Sequence, residues 1–298
     1  MSKKINNAIA LLTRKPNIEW LHFLSTFTNY DVYVIIDESP NVENYDKIYG
    51  HQFPGIELIQ ISKNDCCGKG FMDSSTATKL PRIIAWDKAL YFFSIHCRNY
   101  DNVWFMEEDV FIHSESTLIE LDREFPKEDL LTKNHNIKNN DDVLDWHWKH
   151  VNGYIKLPWA CSLVPICRLS NLLIEKIRLH AKKAGCLFFI EAMFNTIAEQ
   201  NNMLIGGRVP GGNGHMEKFK FIDHMGDGER FVDEKHKQYL FHPIKDVSRH
   251  EIIRKRLASK NKPPTQTVPS TSLLVRTKML ICNPNVCLTY NSATIVIL

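Results

Sequence analysis

Three consecutive acids, Glu107-Glu108-Asp109, follow the apolar run VWFM at residues 103–106 and precede a second apolar run, VFI. Four apolar residues in a row read as a buried strand. The acids therefore stand at its carboxyl end, where open α/β sheets bind their ligands. In extended backbone Glu107 and Asp109 are two apart and point the same way. Two carboxylates on one side can hold a hard divalent cation. Such a cation would bridge two phosphates and stabilise charge building on a departing diphosphate. A strand end carrying solvated acids is the competing reading, and the order of the surrounding elements favours the first.

The elements that must position these acids begin at residues 8–12, AIALL, a first buried parallel strand followed by Thr13-Arg14. Residues 17–27 carry Trp20, Leu21, Leu24 and Phe27 at helical spacing. Residues 31–36, DVYVII, read as a second strand that ends at Asp37, and residues 56–61 as a third. Strand, helix, strand in this order opens a βαβ sheet. A polar loop over 64–79 precedes Pro81, which suits the first turn of a helix. Ile83, Trp86, Leu90 and Phe93 then repeat at helical spacing up to the acidic strand.

Farther on, residues 134–156 are polar, 158–167 form a strand region, and 170–183 form a basic amphipathic helix with Ser170 as its N-cap. Residues 189–199 are a helix with Ile190, Met193, Phe194 and Ile197 as its stripe, and 249–257 a basic helix. The Gly-rich segment 206–214 lacks the GxxxxGK[ST] order and follows a helix, so it reads as a mobile loop over the site, not a phosphate loop.

This arrangement resembles the GT-A fold glycosyltransferases. The features that carry the likeness are the N-terminal βαβ unit, an Asp after the second strand, and a helix leading into an apolar strand that ends in a DXD-like motif. Here that motif is Glu107-Glu108-Asp109, an ExD variant. The likeness spans residues 8–245. It implies an α/β, Rossmann-like, mixed and mainly parallel sheet flanked by helices in a single catalytic domain. It places a nucleotide-binding half at 1–112, an acceptor-binding half at 113–262, and a tail of unknown role at 263–298. It also implies transfer of a sugar from a nucleotide-sugar donor to an acceptor hydroxyl on a glycan, lipid or protein, with Mn²⁺ or Mg²⁺ as cofactor.

Position by position, the resemblance puts Thr13 and Arg14 on the nucleotide and Asp37 on the ribose or base. Arg82, Asp87 and Lys88 border the nucleotide pocket, with Arg82 meeting the diphosphate. Glu108 shares the cofactor contacts. Glu107 and Asp109 hold the metal with His242, for which His224 is the rival, and Lys245 reaches the diphosphate. Glu191 activates the acceptor hydroxyl, which would make the reaction a single inverting displacement.

Ordinary readings stand beside these. Asp37-Glu38-Ser39-Pro40 is turn-like, Arg82 suits a surface charge and Trp86 a core position. Glu191 suits a helix N-terminus by charge, although its apolar neighbours Phe188, Phe189, Ile190 and Met193 would raise its pKa. Trp146, His147, Trp148 and Trp159 offer aromatic faces either to sugars or to the core.

The chain has 298 residues, 44% hydrophobic and 24% charged, enough for one large α/β domain. A net charge of +3 does not call for a nucleic-acid partner. None of its eight cysteines forms a CxxC pair, so a zinc ribbon is not signalled, and mostly reduced thiols are expected. No signal sequence or roughly 20-residue apolar span is seen, so a cytoplasmic or soluble protein is expected. A Golgi-type lumen stays open if the N-terminus is incomplete. A metal-dependent nucleotidyl- or phosphoryl-transfer enzyme is one alternative, although no Gly-rich signature follows the first strand. A non-catalytic sugar- or nucleotide-binding module is the other.

Overall fold

The computed structural model describes residues 6–75, 83–97, 99–142, 146–209, 212–222 and 228–260. In chain order the elements are β1 (Asn7–Thr13), α1 (Ile18–Leu24), β2 (Asp31–Ile36), α2 (Tyr45–Tyr49), β3 (Ile56–Gln60), α3 (Lys63–Cys67), α4 (Ala85–Ile95), β4 (Asn102–Glu107) and α5 (Glu115–Glu124). They continue with β5 (Leu130–Leu131), β6 (Asn134–Lys138), β7 (Trp159–Cys161), β8 (Ile166–Ser170), α6 (Asn171–Ala184), α7 (Ile190–Gln200), β9 (Gly214–His215), β10 (Phe219–Phe221), β11 (Leu240–His242) and α8 (Ser248–Lys260).

The main sheet runs β3-β2-β1-β4-β8-β5. The first four strands are parallel, and β8 joins β4 and β5 antiparallel. This is the expected mixed, mainly parallel sheet flanked by helices. Both faces are covered, which is why β1, β2 and β4 read as nearly unbroken apolar runs. Alternation along β1 splits the core. Ala8, Ala10 and Leu12 face Trp86, Leu90 and Phe93 of α4 together with α6 and α7. Ile9 and Leu11 face Trp20, Leu21 and Leu24 of α1 and Leu118 and Leu121 of α5.

Helix ends follow local chemistry. Asn17 accepts the Glu19 N–H at the start of α1, and Ser170 accepts the Leu173 N–H at the start of α6. Gly185 closes α6 in the left-handed conformation, φ +77°. Several elements were not expected. The segment taken as a polar loop opens with α3, whose first turn Ser62 caps through the Asp65 N–H. The polar stretch after residue 134 supplies β6, which pairs with β7 and β9.

The Gly-rich segment is pinned where it is described. Gly206 N–H donates to Leu130 O, and Arg208 holds Glu199 of α7. Residues 210 and 211 of the segment lie outside the described residues. Trp148 and Trp159 are 6% and 2% exposed and stack on each other in the core, while Trp146 stays exposed. Cys66, Cys67, Cys97 and Cys167 are free thiols. Among the described residues no helix is long and apolar enough to cross a membrane. The tail at 263–298 lies outside the described residues.

Helix α8 packs His250 against Trp20 and Phe111, with ring centroids 5.3 and 5.5 Å away. Its Nε2 lies 3.1 Å from Ile244 O, so the neutral ring donates there. Burial pushes its pKa down from 6.5 to about 4. The unfolded chain therefore takes up a proton that the native state refuses. Stability from this residue is complete above pH 6.5 and is lost as pH falls towards 4, by about 2–3 kcal/mol. His250→Phe should flatten the acid limb between these values, read from urea midpoints at each pH.

Candidate active site

The β1–β4 and β1–β2 registers bring one edge of the sheet level. Leu12 lies across from Glu107, and Thr13 across from Ile36. β2 and β4 flank β1 on opposite sides, so the strand order reverses there, and ligands of open α/β sheets bind at such a point. Two backbone bonds extend the β1 edge past its strand, Asp37 N–H to Thr13 O and Glu38 N–H to Arg14 O. The result is a cleft of ≈ 440 Å³ whose lining includes Thr13, Arg14, Asp37, Trp86, Glu107, Glu108, Asp109 and Lys245.

The acids are held by backbone and by two indoles. Glu107 N–H donates to Pro165 O, across the antiparallel β8 edge. Val110 N–H returns to Glu107 O, closing a turn over 107–110. The two carboxylates therefore converge through a turn and not through the extended geometry expected from their spacing. Trp86 Nε1 donates to Glu107 Oε1 at 2.7 Å, and Trp20 Nε1 donates to Glu108 O at 3.0 Å. The Glu108 carboxylate accepts from the Thr13 hydroxyl at 2.5 Å. Trp86 is thus both core and a positioning donor. The sequence signal for this second role was that a buried indole N–H needs an acceptor.

His242 arrives from 133 residues downstream of Asp109. Phe111 and Phe241 exchange N–H···O bonds in both directions at 2.8 and 3.0 Å, and Ile244 N–H donates to Asp109 O at 2.7 Å. This short antiparallel bridge sets the imidazole Nε2 3.3 Å from Asp109 Oδ2. One donor atom each from Glu107, Asp109 and His242 lies within 4.8 Å of the others. Two carboxylates and an imidazole suit a divalent cation of mixed oxygen and nitrogen preference. The buried His242 Nδ1 has no hydrogen-bond partner among the described residues, which leaves the ring without a second anchor. Burial is the main cause that pushes the Glu107 carboxyl up to about 7; the Trp86 indole opposes it and the Asp109 charge adds to it.

A second chamber of ≈ 230 Å³ shares Glu107, Asp109 and Lys245 with the first and adds Leu163, Val164, Ile190, Glu191 and His242. Glu191 is brought in by α7. Ile190 N–H donates to Ser74 O, and the Glu191 carbonyl accepts from Ser162 N–H. Its carboxyl is pushed up to about 7 by burial. A group poised there can accept a proton near neutrality.

Two expected cofactor contacts are corrected. Asp87 is fully buried and accepts the Ser74 and Ile84 N–H groups, 3.2 and 2.8 Å away, so it caps α4 and pins the loop before it. Burial pushes its pKa up to about 6. Lys88 is 1% exposed. Its Nζ donates to Asp37 O and lies 3.2 Å from Asp37 Oδ1, so it braces the end of β2 from below and does not reach the cleft. Both side chains are buried in the first turns of α4. Arg82 and His224 lie outside the described residues.

No family model matches the chain, and no curated protein matches it. Solved structures do show likeness. A 4-diphosphocytidyl-2C-methyl-D-erythritol synthase from Anaerococcus prevotii is 10% identical, covering 67% of this chain and 83% of its own, with a TM-score of 0.39. The galactosyltransferase LgtC, in complex with donor and acceptor sugar analogues, is 9% identical over 87% and 98%, at 0.42. Mouse xyloside xylosyltransferase 1 is 11% identical over 74% and 88%, at 0.37. What the cleft can do follows from its own geometry.

Proposed function

We propose that this chain is a glycosyltransferase that moves a sugar from a nucleoside diphosphate donor to an acceptor hydroxyl, with Mn²⁺ or Mg²⁺ at Glu107, Asp109 and His242. The observation that carries the reading is the convergence of these three side chains where the strand order reverses, between a nucleotide-sized cleft and a smaller chamber walled by apolar side chains. The imidazole favours Mn²⁺ over Mg²⁺, which prefers an all-oxygen octahedron. When bound, the cation supplies charge stabilisation for the leaving diphosphate.

The chain's own groups do the remainder. Asp37 and Arg14 orient the nucleoside at the ends of β1 and β2. Lys245 borders both cavities and offsets the diphosphate charge. Glu191 faces the second chamber and takes the proton of the acceptor hydroxyl onto its carboxylate as the oxygen attacks. Leu163, Val164 and Ile190 keep bulk water from competing there. The 1–112 half thus supplies Arg14, Asp37, Glu107 and Asp109, and the later half supplies Glu191, His242 and Lys245.

The test is a panel of uridine, guanosine and cytidine diphosphate sugars, with and without Mn²⁺, read as thermal stabilisation. At least one should raise the Tm only when Mn²⁺ is present. Stabilisation by a nucleoside triphosphate and by no nucleotide-sugar would move the assignment to nucleotidyl transfer.

Glu191→Gln keeps the shape and removes the base. Turnover should fall by about 10²–10⁴-fold with donor binding preserved. In the unsubstituted enzyme kcat should rise as pH passes about 7, where the carboxyl ionises. An unchanged pH profile in the Gln variant would remove Glu191 from the mechanism.

A further inference from the structure

A third cavity lies away from the acidic cleft. Its volume is ≈ 970 Å³, and its walls are the segment 152–157, one face of α6 and the C-terminal end of α7. Along α6 the cavity meets Lys176, His180 and Lys183. Steps of four and three residues place them in one stripe. Two turns separate the lysines, about 10 Å at 1.5 Å per residue. Lys156 faces them from the opposite wall, and Asp141 is the acid of the lining. None of the three lysines has an ion-pair partner among the described residues. The His180 Nε2 is buried without a hydrogen-bond partner. Burial, with Lys183 beside it, pushes the His180 pKa down, so the ring is neutral.

The opposing wall is built, not draped. Gln200 Nε2 at the end of α7 donates to Lys156 O and Pro158 O, and Trp159 Nε1 donates to Ile155 O at 2.9 Å. The lining mixes these lysines with the amides of Asn152 and Asn201 and the 44%-exposed ring of Tyr154. Amides and an aromatic face along an open groove suit a chain of hydroxyl-bearing rings, and spaced cations suit a chain that carries repeated negative charges.

We propose that this groove binds an acidic oligosaccharide whose carboxylates are spaced to meet Lys176 and Lys183. The choice of carbohydrate over other anions rests on the glycosyltransferase reading. The groove would hold a remote part of a sugar chain, with α7 as the shared wall between it and the Glu191 chamber.

The probe is a hexamer of galacturonic acid, compared with maltohexaose and with inorganic phosphate, by calorimetric titration of the full chain at low salt. The acidic hexamer should bind, weaken with added salt, and lose at least about tenfold in affinity in the Lys176→Gln/Lys183→Gln double variant. The Lys176→Arg/Lys183→Arg variant should retain binding, which separates lost charge from lost fold. Absence of binding, equal binding of maltohexaose, or a double variant that binds like the parent would each overturn the proposal. Inorganic phosphate that blocks the hexamer at equal concentration would overturn its carbohydrate part. Failure of the catalytic reading is seen separately, as the absence of Mn²⁺-dependent stabilisation by nucleotide-sugars.

Discussion

Asp109→Asn should abolish Mn²⁺-dependent nucleotide-sugar binding and lower turnover by at least about 10²-fold, since a cation worth several kcal/mol of charge stabilisation is lost. The amide keeps the volume of the side chain but gives up its charge. It also leaves His242 Nε2, now 3.3 Å from Asp109 Oδ2, without an anionic partner. Glu107→Gln should act in the same direction and at the same site. The Trp86 indole bond to Glu107 Oε1 survives there, because a Gln carbonyl can still accept it.

The pH dependence follows from the Glu107 carboxyl, pushed up to about 7 chiefly by burial. A protonated carboxyl cannot ligate, so metal affinity should fall as pH drops below 7. Without metal the sign for stability is opposite. The native state holds a proton that the unfolded chain releases near 4.5, so stability contributed at Glu107 declines as pH rises from 4.5 to 7. Added Mn²⁺ should therefore stabilise the protein more at pH 8 than at pH 6. Thermal melts of the parent and both variants at these two pH values test this. Equal Mn²⁺ shifts in parent and Asp109→Asn would show that the cation binds elsewhere.

Arg168→Met should cost about 3–5 kcal/mol of stability, near 10 °C in Tm, with no specific effect on the cleft. Arg168 is 1% exposed on β8, and its NH1 pairs with Asp122 at 2.8 Å. Its NH2 donates to Phe125 O and Glu128 O, which fixes the chain as it leaves α5. Asp122 also accepts from Tyr30 at 2.6 Å, Asn7 at 2.7 Å and Trp104 at 3.1 Å. The network joins β1, β4, β8, α5 and Tyr30 just before β2 around one carboxylate. Removing the guanidinium leaves a buried anion without its countercharge and takes a donor from two carbonyls, hence the large cost. The double variant Asp122→Leu/Arg168→Met should recover part of the loss, because both charges are then gone. Denaturant titration of the three proteins gives the coupling. A double variant no more stable than Arg168→Met would contradict it.

Much of the acidic cleft was written in local sequence. AIALL, DVYVII and VWFM announce parallel strands because both sheet faces are buried, and Thr13, Asp37 and the acid run stand at their ends for the same reason. Helical spacing before the acids located α4. It did not show which of its polar residues would face solvent, and Asp87 and Lys88, adjacent to Trp86, turned inward to cap and brace. Glu108 was placed among the cofactor contacts, and its carboxylate is engaged by Thr13. Helix α5, which holds Asp122, went unnoticed because its apolar stripe is thin.

Residue type and spacing along the chain thus determined the α/β class, the strand ends and the acids available there. Those features depend on backbone alternation and on burial of both sheet faces, which neighbouring residues encode. Tertiary structure alone decided that His242 meets Asp109, that Glu191 looks into the same chamber, and that Trp86 holds Glu107. Each contact closes a loop of tens to more than a hundred residues, and its geometry is fixed by a few backbone bonds, such as the Phe111–Phe241 pair, that leave no periodic trace in the sequence.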